Sequence, residues 1–357
     1  MSEAINKEKC RIISYDILRI VAILMVVIVH TVAPFMSYPV GSVEYAVANI
    51  INGCSRLGVP IFVMVSGALM LDENKNIAIK DILFKYVKNI FILLFSWAII
   101  YSVFNNIFKP IVEKQSINWT IVFSDMLNGY VHLWFLFMII GLYLITPILK
   151  CFVNKKNANY VAYFLVLAFI FCLLPKTIDV PLNFFGVGNN VISNYAQKFS
   201  LGFVLNCTIY YLFGWYAVHV GFTNKVKKVI YCLGVFCLVY GVLASQFFST
   251  DMVKVSETVY NNLTINIFFC AIAVFILVTD KLKYKSFKQE ALIVKLSNLT
   301  FGVYAVHVMV LNVISHVLLG RYFIIRIICG FVGTVIVSFI GAWIMSKIPV
   351  IKKIVRG

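Results

Sequence analysis

Arg19 and His30 are two ionisable residues on an otherwise apolar segment near the start of the chain, residues 14–35. On an α-helix their eleven-residue separation is three turns plus about 20°, so both project from one face, about 16 Å apart along the axis. Histidine can act near neutral pH as a general base towards a hydroxyl, or as a nucleophile that carries an acyl group. Arginine binds phosphate through a planar fork that stays charged. The pair therefore suggests a phosphate-bearing donor that is held at Arg19 and reacts near His30.

Asp16 stands three residues before Arg19, close enough on a helix to pair with it and to lower the cost of burying its charge. A simpler interpretation stays open, in which Asp16 and Arg19 snorkel to the interface and His30 caps the outer end of the segment. Ionisable groups within spans, however, usually face a bundle interior or a water-filled cavity. Because Arg19 and His30 share a face, a single cavity could use both.

The composition shows that these helices are embedded in lipid. Of 357 residues, 62% are hydrophobic and 13% charged, and the mean hydropathy is +0.94. A span needs about 20 mostly apolar residues. We therefore expect an all-α integral membrane protein, a single membrane domain over residues 1–357, with about ten transmembrane helices. The predicted spans are 14–34, 44–71, 82–107, 131–152, 159–175, 201–220, 228–248, 261–279, 296–319 and 323–346.

The formal net charge is +17, and the basic residues that produce it are concentrated on one predicted side of the membrane. Most Lys and Arg residues fall on alternate short loops and at the two ends of the chain, which predicts that both termini are cytoplasmic. Anionic membrane lipid accounts for the basic excess on that side, and we expect no nucleic-acid partner. The opposite loops carry only Lys109, Lys114, Lys176, Lys198, Lys254 and Arg321.

Three arginines, Arg19, Arg56 and Arg326, lie within predicted spans. In the second span Gly58 and Pro60 predict a kink, and Arg56, four residues before Pro60, favours a polar interior there. Arg326 is either a snorkelling anchor or a partner for an anionic group in the cavity.

The remaining histidines differ in context. His307 lies near the middle of the ninth predicted span, one turn after Tyr304, and either bonds a neighbouring carbonyl or belongs to a site. His132 begins the fourth span beside Trp134, where an aromatic belt is expected in any case. His219 and His316 lie at span ends and are expected to be interfacial.

No hydrolase triad or metal-binding spacing is present in the sequence. The nine cysteines suggest small packing residues. We expect neither a metal nor a permanently bound cofactor.

Four segments, in order, resemble the membrane-bound acyltransferase family 3. They are RIISYDILRIVAILMVVIVH at 11–30, SRLGVPIFVMVSGALM at 55–70, HLWFLFMIIGLYLITPIL at 132–149 and LSNLTFGVYAVH at 296–307. Together they cover nearly the whole chain.

The resemblance implies a bacterial cytoplasmic-membrane enzyme that moves an acyl group, usually acetyl from acetyl-CoA, onto a hydroxyl of a surface glycan or its lipid-linked precursor. The family's first-helix arginine and histidine match Arg19 and His30, with His30 as the expected catalytic residue. Arg56 matches the arginine before the family's Val-Pro-x-Phe. The residues expected to bind acyl-CoA or substrate are Arg19, Asp16, Arg56, Trp134, Tyr304 and His307.

The sequence also departs from one branch of the family. It lacks that branch's Trp-Ser-Leu-x-x-Glu motif near Trp134 and has no appended esterase-like domain, which makes it more like stand-alone members associated with exopolysaccharide modification. Some relatives are linked to glycan export or amino-acid uptake. The alternative is therefore a proton-coupled, glycan or amino-acid transporter of the same family. Intramembrane Arg and His residues also serve proton coupling.

Overall fold

The computed structural model describes residues 11–202, 206–250, 255–282, 289–349 and 351–355. In these ranges the chain is helical and contains no β-strand, as expected for an all-α membrane protein. The helices are α1 (Ile13–Val32), α2 (Val43–Ser55), α3 (Gly58–Met70), α4 (Ile79–Val112), α5 (Trp119–Asn128), α6 (Trp134–Lys150), α7 (Lys155–Phe184), α8 (Val191–Gln197), α9 (Thr208–His219), α10 (Asn224–Phe247), α11 (Ser256–Val259), α12 (Ile265–Leu282), α13 (Glu290–Ser297), α14 (Thr300–Val317) and α15 (Phe323–Met345).

Among the described residues, nine helical stretches are long and apolar enough to cross a membrane, and each matches one predicted span. They are α1 with its 3₁₀ extension to Ser37, the pair α2 and α3, α4, the pair α5 and α6, α7, α10, α12, α14 and α15. Nine of the ten predicted spans therefore coincide with a membrane-length helix in the described residues.

The tenth predicted span, 201–220, contains a shorter helix within the described residues. Its described helix, α9, has only 12 residues, about 18 Å at 1.5 Å per residue, against a hydrocarbon core of about 30 Å. Every residue from Thr208 to Trp215 is buried within the protein. The apolar sequence arises because α9 is surrounded by other helices, and hydropathy alone does not separate a protein core from lipid. Residues 203–205 of the predicted span lie outside the described ranges.

Two glycines allow α3 and α9 to touch backbone to backbone. A Cβ atom on Gly67 would lie 1.8 Å from the Tyr211 carbonyl oxygen, and one on Gly214 would lie 2.0 Å from the Met64 carbonyl oxygen. Small residues at helix contacts are a common device for close packing in membranes. This contact fixes the short helix α9 against the helix that follows Arg56.

Replacing Gly67 with alanine should therefore force the two helices apart. We expect the free energy of unfolding to fall by about 1–3 kcal/mol or more, measured as a lower thermal midpoint in detergent. Gly141→Ala is the matched control, because a Cβ there meets no atom within 4 Å. An unchanged midpoint for Gly67→Ala would contradict the observed contact.

The predicted kink in the second span is a complete break. Arg56 and Leu57 form a turn between α2 and α3. Pro60 is the third residue of α3, where its missing N–H is not needed because the first-turn amides have no intrahelical partner. The break places Arg56 at a helix end inside the bundle.

Helix α1 lies at the centre of the bundle. It packs against α2, α3, α12, α13, α14 and α15, and Leu18, Ala22, Ile23 and Val27 are fully buried. The helix that carries Arg19 and His30 is thus surrounded by protein, so that both residues have neighbours from several helices.

Candidate active site

Three histidines from three helical segments meet at one end of α1. The ring centroid of His307 on α14 lies 5.1 Å from that of His30 and 5.4 Å from that of His132, which immediately precedes α6. His132 and His307 are buried. We refer to His30, His132 and His307 as the histidine cluster.

His307 is held in a defined orientation. Its Nδ1 lies 2.6 Å from the carbonyl oxygen of Tyr304, one turn earlier on α14, so Nδ1 carries the proton and donates it. The lone pair of the neutral ring is then on Nε2, which is buried and has no hydrogen-bond partner among the described residues. Both sequence interpretations of His307 are thus partly realised, since it bonds a neighbouring carbonyl and still offers a basic nitrogen to the cluster.

Two tyrosines, Tyr101 and Tyr304, pack against His132. The Tyr304 hydroxyl donates a hydrogen bond to the His132 carbonyl oxygen, and the Tyr101 ring lies 4.7 Å from the His132 ring. Tyr101 is fixed in turn by donating to the Ala305 carbonyl oxygen at 2.9 Å. Neither ring nitrogen of His132 reaches ideal hydrogen-bond geometry with a group in the described ranges, and the Ala305 backbone is a polar group that interacts with the ring. Tyr304 therefore positions the cluster by holding the backbone at His132.

Arg56 lies near His30. Its guanidinium is near enough to interact electrostatically with His30, and also with Glu257 and Tyr260. Its Nε donates to the Asn52 side-chain oxygen at 3.0 Å, which orients the group from the preceding turn of α2. The break between α2 and α3 thus brings a positive charge to the histidine cluster.

Asp16 forms the expected ion pair with Arg19 and a closer one with Arg11. Its buried carboxylate accepts two hydrogen bonds from Arg11, at 2.7 and 2.8 Å, and one from the Ser297 hydroxyl at 2.6 Å. The hydrogen bond from Arg11 to Asp16 raises the pKa of the Arg11 guanidinium. Arg19 reaches Asp16 only at 3.7 Å. Asp16 therefore mainly joins α1 to α13, because Arg11 supplies a fork that matches the carboxylate.

Because its contact with Asp16 is the longer of the two ion pairs, the Arg19 guanidinium can also bind another anion. Its side chain is 35% exposed, and it interacts electrostatically with Tyr143 of α6. It remains on the His30 side of α1, about 16 Å from it along the helix. Binding of a phosphate at this distance from the cluster is compatible with a donor that lies along α1.

Trp134, expected to bind substrate, does not lie in the cluster and is 43% exposed. Trp134 and His132 are two residues apart and project to different sides of the helical turn, so that His132 is the buried one. Arg326, for which two roles were open, places its guanidinium carbon 5.0 Å from the centre of the Phe35 ring. His219 contacts the Ala68 carbonyl oxygen, whereas His316 is exposed.

His132 and Tyr101 are the residues that sequence reasoning left outside the expected site. The available signal for a site at His132 was its position between the aromatic residues Tyr130 and Trp134. An aromatic belt at the membrane interface explains the same pattern. Within the described ranges, no group of three or more His, Cys, Asp or Glu side chains has a geometry that could hold a metal ion.

The cluster combines the elements that acyl transfer to a hydroxyl needs. It has imidazoles that can take up a proton, unpartnered ring nitrogens that can bond a hydroxyl, and a guanidinium that can stabilise a developing oxyanion. Buried polar atoms without partners are unusual in folded proteins and often have a functional reason.

Comparison with known proteins agrees with this chemistry. The family model described as an acyltransferase domain, acyltransferase family 3, matches residues 12–343, which is nearly the whole chain. No curated protein and no solved structure matches. The match includes the helices that carry the histidine cluster and Arg19, and the chain belongs to acyltransferase family 3 and is a multi-pass membrane acyltransferase.

Proposed function

We propose that this acyltransferase is an O-acetyltransferase that takes its acyl group from cytoplasmic acetyl-CoA and passes it to a hydroxyl of a cell-surface glycan or its lipid-linked precursor in the bacterial cytoplasmic membrane. The observation that carries the proposal is the histidine cluster, in which the His307 ring lies 5.1 Å from the His30 ring and 5.4 Å from the His132 ring, and in which the buried Nε2 of His307 has no hydrogen-bond partner among the described residues. A hydroxyl and a thioester carbonyl are polar groups that would supply the missing partners.

Arg19 and the histidine cluster divide the donor between them. A phosphate of the CoA nucleotide binds at Arg19, and the pantetheine arm extends about 16 Å along α1 to bring the thioester to His30. The lysine distribution supports an orientation with Arg19 nearer the cytoplasmic side and His30 nearer the outer side. The same direction carries the acyl group from the donor's compartment towards the acceptor's.

His30 serves in one of two ways, and both balance. In direct transfer, the acceptor hydroxyl gives its proton to a neutral imidazole as its oxygen attacks the thioester carbon; the C–S bond breaks and the CoA sulfur takes that proton. In two-step transfer, the imidazole itself attacks the thioester carbon, the C–S bond breaks, and the CoA sulfur takes the N–H proton that the acylated ring gives up. The acceptor oxygen then forms the new ester bond as the acyl–imidazole bond breaks, and the released imidazole takes the proton of the acceptor hydroxyl. Arg56 stabilises the oxyanion in either route.

The function is tested with purified protein in liposomes, supplied with acetyl-CoA and a lipid-linked sugar fraction from the native membranes. We expect CoA release that depends on the sugar fraction and an ester on the recovered sugar. Butyryl-CoA and palmitoyl-CoA in place of acetyl-CoA would reveal the acyl chain preference. Sugar or amino-acid flux without acetyl-CoA, with no CoA release, would favour the transporter and contradict the proposal.

Replacing Arg19 with glutamine should weaken donor binding specifically. Hydrogen bonds to charged groups contribute about 1.5–3 kcal/mol, so we expect the KM for acetyl-CoA to rise about 10-fold to 100-fold. The KM for the sugar fraction should stay within about twofold. Arg326→Gln is the control, because it also removes an arginine from a membrane helix. The Arg326 guanidinium lies over the Phe35 ring and is not part of the proposed donor site. An unchanged acetyl-CoA KM in Arg19→Gln would place the phosphates elsewhere.

A further inference from the structure

A groove lies where the beginning of α4 meets the end of α15. It encloses about 890 Å³ and is lined by Lys88, Asn89, Ile92, Ser346, Lys347, Pro349 and Lys352. A smaller cavity of about 220 Å³ shares Ser346 and Lys347 with it and adds Lys295, Asn298, Leu299 and Trp343. We call these two neighbouring spaces together the lysine groove, after Lys88, Lys295, Lys347 and Lys352.

The lysine groove concentrates positive charge without a counterion. None of its lining residues is Asp or Glu. Among the described residues the ion pairs involve Arg11, Arg19, Lys109 and Lys227, and none of the groove lysines. Lys295 and Lys347 approach the Trp343 ring to 6.0 and 5.7 Å, so that one indole holds both ammonium groups at the groove. Such a site attracts a phosphate group.

Apolar stripes lead from these lysines along both helices. On α4, Ile92 and Phe95 follow Lys88 at i+4 and i+7, and on α15, Ile344 and Ile340 precede Lys347 at i−3 and i−7. Residues at these spacings share a helix face, and Lys347 lies in the turn that directly follows α15. All four apolar side chains are 43–51% exposed. The surface beside the groove therefore consists of a cationic end and two hydrocarbon-facing stripes.

We propose that the lysine groove binds the phosphate headgroup of an anionic phospholipid, whose acyl chains lie along the stripes of α4 and α15. Basic pockets at the cytoplasmic ends of membrane helices suit such headgroups, and the lysine distribution predicts this end to be cytoplasmic. A free nucleotide would use the lysines but not the exposed apolar stripes. The groove residues lie on α4, α13, α15 and the segments that follow α13 and α15, and none lies on α1.

The bound lipid would join elements that are distant in sequence. Trp97 of α4 donates its Nε1 hydrogen to the Ile354 carbonyl oxygen at 2.8 Å, which ties the segment after α15 to α4 next to the groove. A headgroup that bridges Lys88 and Lys352 would reinforce this contact. Anionic lipid should accordingly raise the thermal midpoint as well as bind.

The test measures lipid retained by the full-length protein. Wild-type protein is purified from mixed micelles of phosphatidylglycerol and phosphatidylcholine, and the lipids that stay bound are identified by native mass spectrometry. The groove variant is Lys88→Gln/Lys347→Gln/Lys352→Gln. The control variant, Lys156→Gln/Lys225→Gln/Lys228→Gln, removes the same charge from exposed lysines on the same predicted side.

We expect wild type and control to retain phosphatidylglycerol in preference to phosphatidylcholine, and the groove variant to bind it on the order of 100-fold more weakly. Phosphatidylglycerol should raise the thermal midpoint of the first two proteins only. Adenosine 3′,5′-bisphosphate and inorganic phosphate are added as competitors, to distinguish a lipid headgroup from a nucleotide or a free phosphate as the ligand. Displacement of lipid by the nucleotide would assign the groove to the donor, and displacement by inorganic phosphate would reduce it to a general anion site. Either result, or equal retention by the two variants, would overturn the proposal.

Discussion

Replacing His30 with alanine is expected to lower acyl transfer at least about 100-fold, the usual minimum contribution of a positioned general base. The ring of His30 faces His307, with centroids 5.1 Å apart, and lies within the electrostatic reach of Arg56. Removing it takes away the proton acceptor or the acyl carrier at the end of the α1 face that begins with Arg19. The measurement is the rate of CoA release that depends on the sugar fraction, with the amount of membrane-inserted protein determined in parallel.

His316→Ala is the matched control for this experiment. It removes an exposed histidine from α14, the same helix that carries His307, and should leave the rate within about twofold. Full activity in His30→Ala, with normal insertion, would remove His30 from the reaction. Loss of activity in both variants would show that histidine replacements far from one another disturb the bundle and would point to folding instead.

The same protein can distinguish the two roles of His30. Incubation with radiolabelled acetyl-CoA in the absence of the sugar fraction should leave acetyl on the protein only if His30 carries the group covalently. Label that appears in wild type and disappears in His30→Gln supports two-step transfer. Turnover with no label at any time supports His30 as a base in direct transfer.

Replacing Asp16 with asparagine is expected to destabilise the protein by about 3 kcal/mol, the lower end of the range for breaking a buried ion pair, because Arg11 is 42% exposed. Asparagine keeps the size but turns an amide N–H₂ towards either Arg11 or Ser297. The link between α1 and α13 is thereby lost. The measurement is the thermal midpoint in detergent, alongside the KM for acetyl-CoA below the transition.

Asp81→Asn provides the comparison, since it removes an exposed aspartate that forms no ion pair with the described residues and lies on the same predicted side of the membrane. A lower midpoint with an unchanged acetyl-CoA KM supports a structural Asp16. A normal midpoint with a raised KM would return Asp16 to the donor site, as the sequence first suggested. Combining Asp16→Asn with Arg11→Gln should cost less than the sum of the single changes, because both remove the same pair.

The fold illustrates where hydropathy succeeds. Each of the nine membrane-length helices was predicted, because a lipid-facing helix must be apolar along its whole length. The short helix α9 was predicted as a span for the same reason. Its apolar residues are covered by protein, and the composition of a buried helix resembles that of a lipid-exposed one.

Within the site, the sequence determined what lies along one helix. The eleven-residue step from Arg19 to His30 fixes their common face, and the three-residue step from Tyr304 to His307 places them on adjacent turns, because helix geometry is local. The family match likewise follows from the ordered segments. What the sequence could not state is which helices approach one another.

Only the tertiary structure decided the partners. It brings His132 against His307, places Arg56 near His30 and gives the Asp16 carboxylate to Arg11 and Ser297. Ser297 lies 281 residues from Asp16 along the chain, and its proximity depends on the packing of α1 with α13. Helical periodicity sets the direction of a side chain, whereas the group that it meets is set by packing between helices, which no local spacing encodes.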